Sequence, residues 1–250
     1  MTLSRRDFLK VTAGTAAYSL MCEHIAAAAE VNAGLKQEAV DQLDAQTPSP
    51  MNEFRTRWRS RSHLPGRLQP YFVEAQEGDR AILFDQLITT YAGADETNNS
   101  FCLFTVEGPK GDIIPAHLHG ETHECFYILA GQLRLFLDDQ HGTQLEKVLN
   151  VGDFGFVPAN VIHTYRMERH GTRILGVASR PDFPRFFETL GKPTEAHIYP
   201  KTQAEMVIPT PEDFVAAGRQ YDVRFLPEYG FAKDEGSIGN DQDTDSRKRR

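Results

Sequence analysis

Apolar and polar positions alternate with a period of two over much of the chain beyond residue 66. Short β-rich runs cover 81–91 (AILFDQLITTY), 101–108, 124–131, 133–138, 154–158, 162–167 and 173–179. Turn-forming clusters separate them: GPKGD at 108–112, DDQHGT at 138–143, NVGD at 150–153 and ERHG at 168–171. Many short strands with regular turns predict an antiparallel sandwich or barrel. Helical patterning appears only late. Asp182 is expected to cap FPRFFETL, closed by Gly191, and Thr210 with Pro211 to open EDFVAAG, closed by Gly218. No repeat of solenoid period is present.

Before Gly66 the pattern is different. Residues 30–65 are polar and mixed, and read as an arm or linker with a short helix near 35–44 and Trp58 as an anchor. Residues 1–29 read as an export signal. SRRDFLK (4–10) pairs Arg5 with Arg6 ahead of Phe8 and Leu9, a weakly apolar run follows, and Ala26–Ala29 offers a cleavage site. The apolar stretch is too short to span a membrane. Periplasmic or secreted localisation by the twin-arginine route, with no stable membrane anchor, is therefore expected. That route carries folded proteins, which suits a metal taken up before export. The last segment, 233–250, is polar and acidic before a basic RKRR end, and reads as a disordered tail.

The 250 residues are 40% hydrophobic and 25% charged, enough to bury a sizeable core. A net charge of −8 argues against nucleic acid as a partner. Of three cysteines, Cys102 and Cys125 lie in apolar strand patterns and read as two separate thiols rather than a disulfide.

The chemistry concentrates in PAHLHGETHECFYILAG, 115–131. His117 and His119 are two apart, so on a strand they share a face. Glu124 begins the next apolar run after a turn at Gly120 and can swing back toward both imidazoles. GDFGFVPANVIHTY supplies a fourth donor, His163, after a turn in which Asn160 tolerates the left-handed conformation. Three imidazoles and a carboxylate suit one divalent transition metal ion: Mn, Fe, Co, Ni, Cu or Zn. His123, His141, His170, His63 and His197 are expected outside the site. By alternation, Phe126 and Ile128 follow Glu124 inward and Tyr165 follows His163, with Phe104 and Cys102 on another wall.

The spacing Gly111-x5-His117-x-His119-x4-Glu124-x6-Gly131, then Gly152-x5-Pro158-x-Asn160-x2-His163, resembles the two motifs of the cupin superfamily. The resemblance spans about 66–200 and implies an all-β fold: a single cupin double-stranded β-helix, or jelly-roll barrel, around a metal held by His117, His119, Glu124 and His163. A C-terminal extension, 201–232, would pack on it, with short helices. The run GDFGFVPANVIHTY, GTRILGV, PDFPRFFETLG further resembles the quercetin 2,3-dioxygenase family, flavonol-cleaving cupins. That likeness implies a small aromatic substrate and O2, Glu124 as both ligand and base, and a substrate pocket at Phe126, Tyr165 and Phe183, with Phe104 beside it. Many members carry two cupin domains, whereas this chain shows one, and Tyr165 stands where Phe is more usual. The other expected classes are a metal-dependent isomerase or decarboxylase and a non-catalytic periplasmic binding cupin. A single barrel leaves sheet edges to cover, so a homodimer is expected.

Overall fold

In the computed structural model, residues 62–112, 114–226 and 229–231 are described. The export signal, most of the arm with its helix and Trp58, and the tail lie outside them. The strands are β1 (Asp79–Leu83), β2 (Gln86–Ala92), β3 (Cys102–Gly108), β4 (His117–Leu118), β5 (Glu124–Ala130), β6 (Gln132–Asp138), β7 (Gln144–Asn150), β8 (Phe154–Val157), β9 (Ile162–Met167), β10 (Thr172–Ala178), β11 (Lys192–Pro193) and β12 (Arg224–Phe225). Among the described residues, three α-helices accompany them: α1 (Ala94–Thr97), α2 (Pro184–Leu190) and α3 (Pro211–Gln220).

One sheet has the order β11-β1-β2-β3-β10-β5-β8 and the other β12-β4-β9-β6-β7. From β3 to β10 the chain passes repeatedly from one sheet to the other, which winds the two into a jelly-roll barrel. Alternation decides which side chains lie between the sheets. On β5, Glu124, Phe126 and Ile128 are buried while Tyr127 and Leu129 are exposed. On β10, Ile174 and Ala178 are buried between half-buried neighbours. The resulting core includes Phe104, Leu133, Leu135, Met167 and Ile174. Each buried CH2 of such a core contributes about 0.8 kcal/mol.

Several local readings are corrected. The run 81–91 is not one strand. It folds as a β1–β2 hairpin in which Leu83 pairs with Gln86 and Phe84 adopts φ 56°. Its apolar pattern continues through the turn because Phe84 is itself buried and bridges to Val207. Strand β7 escaped notice because its residues are mostly exposed and include Glu146 and Lys147, as suits an edge strand. The short helix α1 was also unanticipated. Asp182 does not cap α2; Phe183 holds the cap position, and the Asp182 carboxylate accepts from Arg180 Nε at 2.8 Å.

Thr210 does cap α3, its Oγ1 accepting from Asp213 N at 3.2 Å. Gly218, however, lies inside that helix and does not close it. A Cβ there would stand 2.6 Å from the carbonyl oxygen of Val223, so the glycine allows the chain to fold back against its own helix. Reversal is completed by Asp222 at φ 59°, which sends β12 to pair with β4.

Cys102 and Cys125 are both free. They sit on strands that flank β10, and Cys102 is buried while Cys125 lies on the outer, half-buried side. Burial pushes the Cys102 thiol up to about 12. Among the described residues, no helix is long and apolar enough to cross a membrane.

Candidate metal centre

His117 on β4 lies opposite His163 on β9 in the sheet register. Glu124 opens β5 in the other sheet, and His119 stands just past β4. One ligand atom from each of the four lies within 4.8 Å of all the others, and all four residues are buried. The imidazole centroids of His117 and His163 are 4.1 Å apart, and His119 is 5.2 and 5.3 Å from them.

The backbone fixes each ring. Nδ1 of His117 is 2.9 Å from the Pro115 carbonyl, Nδ1 of His119 is 2.7 Å from that of Asp222, and Nδ1 of His163 is 3.0 Å from that of Val161. An Nδ1–H donated to a carbonyl leaves the Nε2 lone pair for a metal, the usual arrangement of metal-bound histidine. Glu124 Oε2 lies 3.0 Å from Nε2 of both His119 and His163. With both Nδ1 atoms facing carbonyls, two Nε2 atoms and a carboxylate oxygen at that separation call for positive charge among them, from a proton or from a metal ion. The donor set therefore fits one divalent metal ion.

The electrostatics agree. Burial and the neighbouring His163 and His119 hold His117 well below the usual imidazole range, so it stays neutral. Burial also disfavours charge on His119 and Glu124. The attraction between the two outweighs it, raising His119 and holding Glu124 far below the usual carboxylate range.

The two motif blocks are tied together. Asn160, at φ 67°, donates its N–H to the His119 carbonyl at 2.6 Å and its side-chain amide to the Gly120 carbonyl at 3.0 Å. The motif glycines Gly111, Gly131 and Gly152 all have positive φ, which explains glycine at those offsets. A second tie was not read from the sequence. The Asp222 carboxylate accepts from the backbone N–H of Gly120, Glu121 and Thr122 at 2.8 to 3.0 Å and from Thr122 Oγ1 at 2.8 Å. One residue thus orients His119 through its carbonyl and pins the next loop through its side chain. Its only sequence signal is an Asp in the YDV stretch after a helix, about a hundred residues away, with no spacing to mark it.

His117 and Glu124 form one end of a cavity of about 70 Å3. Phe104, Phe126, Tyr165 and Phe183 all line it. Ile128 and Cys102 do not; they are packed in the core. Further aromatic walls come from Phe84, Phe186, Phe187, Phe214 and Phe225. Phe84 stacks on Phe214 at 5.6 Å, and Phe214 meets Phe225 edge-on at 5.4 Å. Phe183 packs edge-on against the ring of His119 at 5.3 Å. Among the described residues, the remaining histidines lie elsewhere: exposed His123 accepts at Nδ1 from the Ala159 N–H, and His170 from the Lys110 N–H. Arg134 and Arg166 both reach Glu168, away from the cavity.

Residues 104–173 match the cupin domain family model. Over 139 residues the chain is 43% identical to a quercetin 2,3-dioxygenase of Bacillus subtilis, covering 56% of this chain and 40% of that protein. It is 31% identical over 131 residues to a quercetin 2,3-dioxygenase of Aspergillus japonicus, covering 51% of this chain and 37% of that protein. The chain thus spans about two fifths of the length of the curated relatives it matches. Among solved structures, KdgF from Halomonas sp. aligns over 45% of this chain and 94% of its own, at 15% identity and a TM-score of 0.39.

Proposed function

We propose that this protein is a metal-dependent dioxygenase that cleaves a flavonol or a related aromatic substrate with O2. The observation that carries the reading is the junction of two regions: two of the four clustered donors, His117 and Glu124, line a cavity with aromatic walls. The likeness to two quercetin 2,3-dioxygenases supports the substrate class.

A bound divalent metal would supply Lewis acidity and a coordination position for a substrate oxygen. His117, His119, Glu124 and His163 would hold it. Glu124, which lines the cavity, would accept the proton of the substrate hydroxyl. Phe126, Phe183 and Phe104 pack the rings, and Tyr165 adds a hydroxyl. The surrounding phenylalanines exclude water, which protects reactive species from side reactions. At about 70 Å3 the cavity is well under the 300 Å3 or so of an ordinary ligand pocket. A flavonol therefore enters as the phenylalanines of α2 and α3 turn aside. The test is an oxygen electrode: the metal-loaded protein, screened with flavonols and catechols, is expected to consume O2 with a flavonol. Turnover of a substrate without O2 uptake would favour the isomerase or decarboxylase class, and binding without turnover a sensor.

The domain plan proposed is an export signal at 1–29, an arm at 30–65, the barrel at 66–200, an extension at 201–232 and a tail beyond. Export by the twin-arginine route predicts that Arg5→Lys with Arg6→Lys traps the precursor in the cytoplasm. A double variant still found outside the cytoplasm would refute it. A homodimer would cover Tyr127, Leu129, Phe154 and Phe156, which are exposed on β5 and the edge strand β8. A monomer mass by light scattering at micromolar concentration would contradict this.

A further inference from the structure

The cavity lining is apolar except at two places. One is the metal end, His117 and Glu124. The other is formed by Gln86 and Tyr165, which come from opposite sheets. Both are buried, with 4% and 5% of their surface exposed. Buried polar groups this far from water are costly unless their hydrogen bonds are made.

The hydrogen-bond accounting is uneven. Gln86 Nε2 donates to Asp112 Oδ2 at 2.5 Å and to the Tyr165 hydroxyl oxygen at 3.1 Å, which uses both amide hydrogens. Asp112 in turn is hydrogen-bonded to Asp85, and both carboxyl groups are buried. The chain Asp85–Asp112–Gln86 therefore fixes which way the amide points. Tyr165 has its oxygen occupied as an acceptor. Its own proton has Gln86 Oε1 at 3.5 Å, beyond the 2.5–3.0 Å of an O–H···O bond. One hydroxyl donor and one amide acceptor, joined only by this long and weak contact, thus stand side by side on an otherwise apolar wall.

We propose that Gln86 and Tyr165 form a second, polar anchor of the cavity, held in place by Asp112 and Asp85, which recognises a hydroxyl or carbonyl of the substrate other than the oxygen at the metal. The pair offers one donor and one acceptor, which matches a phenolic hydroxyl that accepts from Tyr165 and donates to Gln86. It makes the site selective for aromatic substrates with polar substituents on more than one part of the ring system. This rests on the reading that the cavity takes a flavonol-like ligand, and it adds the residues that choose among such ligands.

The test uses metal-loaded protein and two probes, quercetin and 3-hydroxyflavone, with binding followed by quenching of protein fluorescence. Both probes carry the hydroxyl proposed for the metal end; only quercetin has others. Tyr165→Phe is expected to weaken quercetin about tenfold, and 3-hydroxyflavone by less than about twofold, as the loss of one hydrogen bond predicts. Gln86→Met is expected to show the same ligand-dependent loss. Equal weakening of both probes by Tyr165→Phe, or no change for either, would overturn the anchor while leaving the metal-site reading intact. Failure of the wild type to bind either probe would overturn both.

Discussion

The two ends of the cavity are built in different ways. At the metal end, three of four ligands come from eight consecutive residues, 117–124, and the fourth is paired with the first across one sheet. Their rings are held by backbone carbonyls, two of them only two residues away. The aromatic walls are assembled from β1–β2, β3, β5, β9, α2, α3 and β12, elements spread from Phe84 to Phe225. The first is a largely local device, closed by the barrel and braced by Asp222 from the extension. The second is complete only once the extension after β10 has added Phe186, Phe187, Phe214 and Phe225 to the barrel's own aromatic residues. Metal binding should therefore depend on few residues, Asp222 among them, and tolerate loss of the cap's phenylalanines, whereas substrate binding depends on both.

Three substitutions test that separation, ranked by their effect on metal binding. His163→Ala removes a buried ligand, so the bound metal is expected to fall from about one equivalent to a small fraction in a protein that still folds; metal analysis of the purified variant decides. Next is Asp222→Ala, which keeps a carbonyl for His119 Nδ1 but frees the loop at 120–122. Loss of such an outer support is expected to weaken metal affinity roughly 10–100-fold. A competition titration with a chelator measures it, and unchanged affinity would reduce Asp222 to a loop staple. The smallest effect on metal is expected from Phe214→Ala. It should cost about 3–5 kcal/mol of stability, because it empties a buried site between Phe84 and Phe225. Denaturant melts give that figure, and metal stoichiometry should not change. A Phe214 variant that loses its metal would show that the cap and the metal end are one unit.

The same difference explains what the sequence disclosed. The four-donor cluster was legible because strand alternation and a single turn place His117, His119 and Glu124 together, and a second block repeats the logic at His163. The barrel was legible because its inner and outer faces alternate cleanly on β5 and β10. Asp222 was not, because its partners are about a hundred residues away and it carries no periodic signal. Nor was the role of Gly218, which looks like a helix stop and acts as a point of close approach. Gln86 was hidden inside an apolar run whose turn at Phe84 is itself buried. Apolar alternation reports burial, and a polar residue buried for a ligand leaves no trace in it.

Glu124 belongs to both ends, since it touches two imidazoles and lines the cavity, and it offers the most direct test of the mechanism. Glu124→Gln keeps the size and an oxygen for the metal but cannot take a proton at neutral pH. The measurement is O2-dependent turnover of a flavonol per bound metal ion, rather than per protein. A fall of roughly 10²–10⁴-fold is expected for loss of the general base. Turnover per metal close to that of the wild type would show that Glu124 is only a ligand, and would contradict the account.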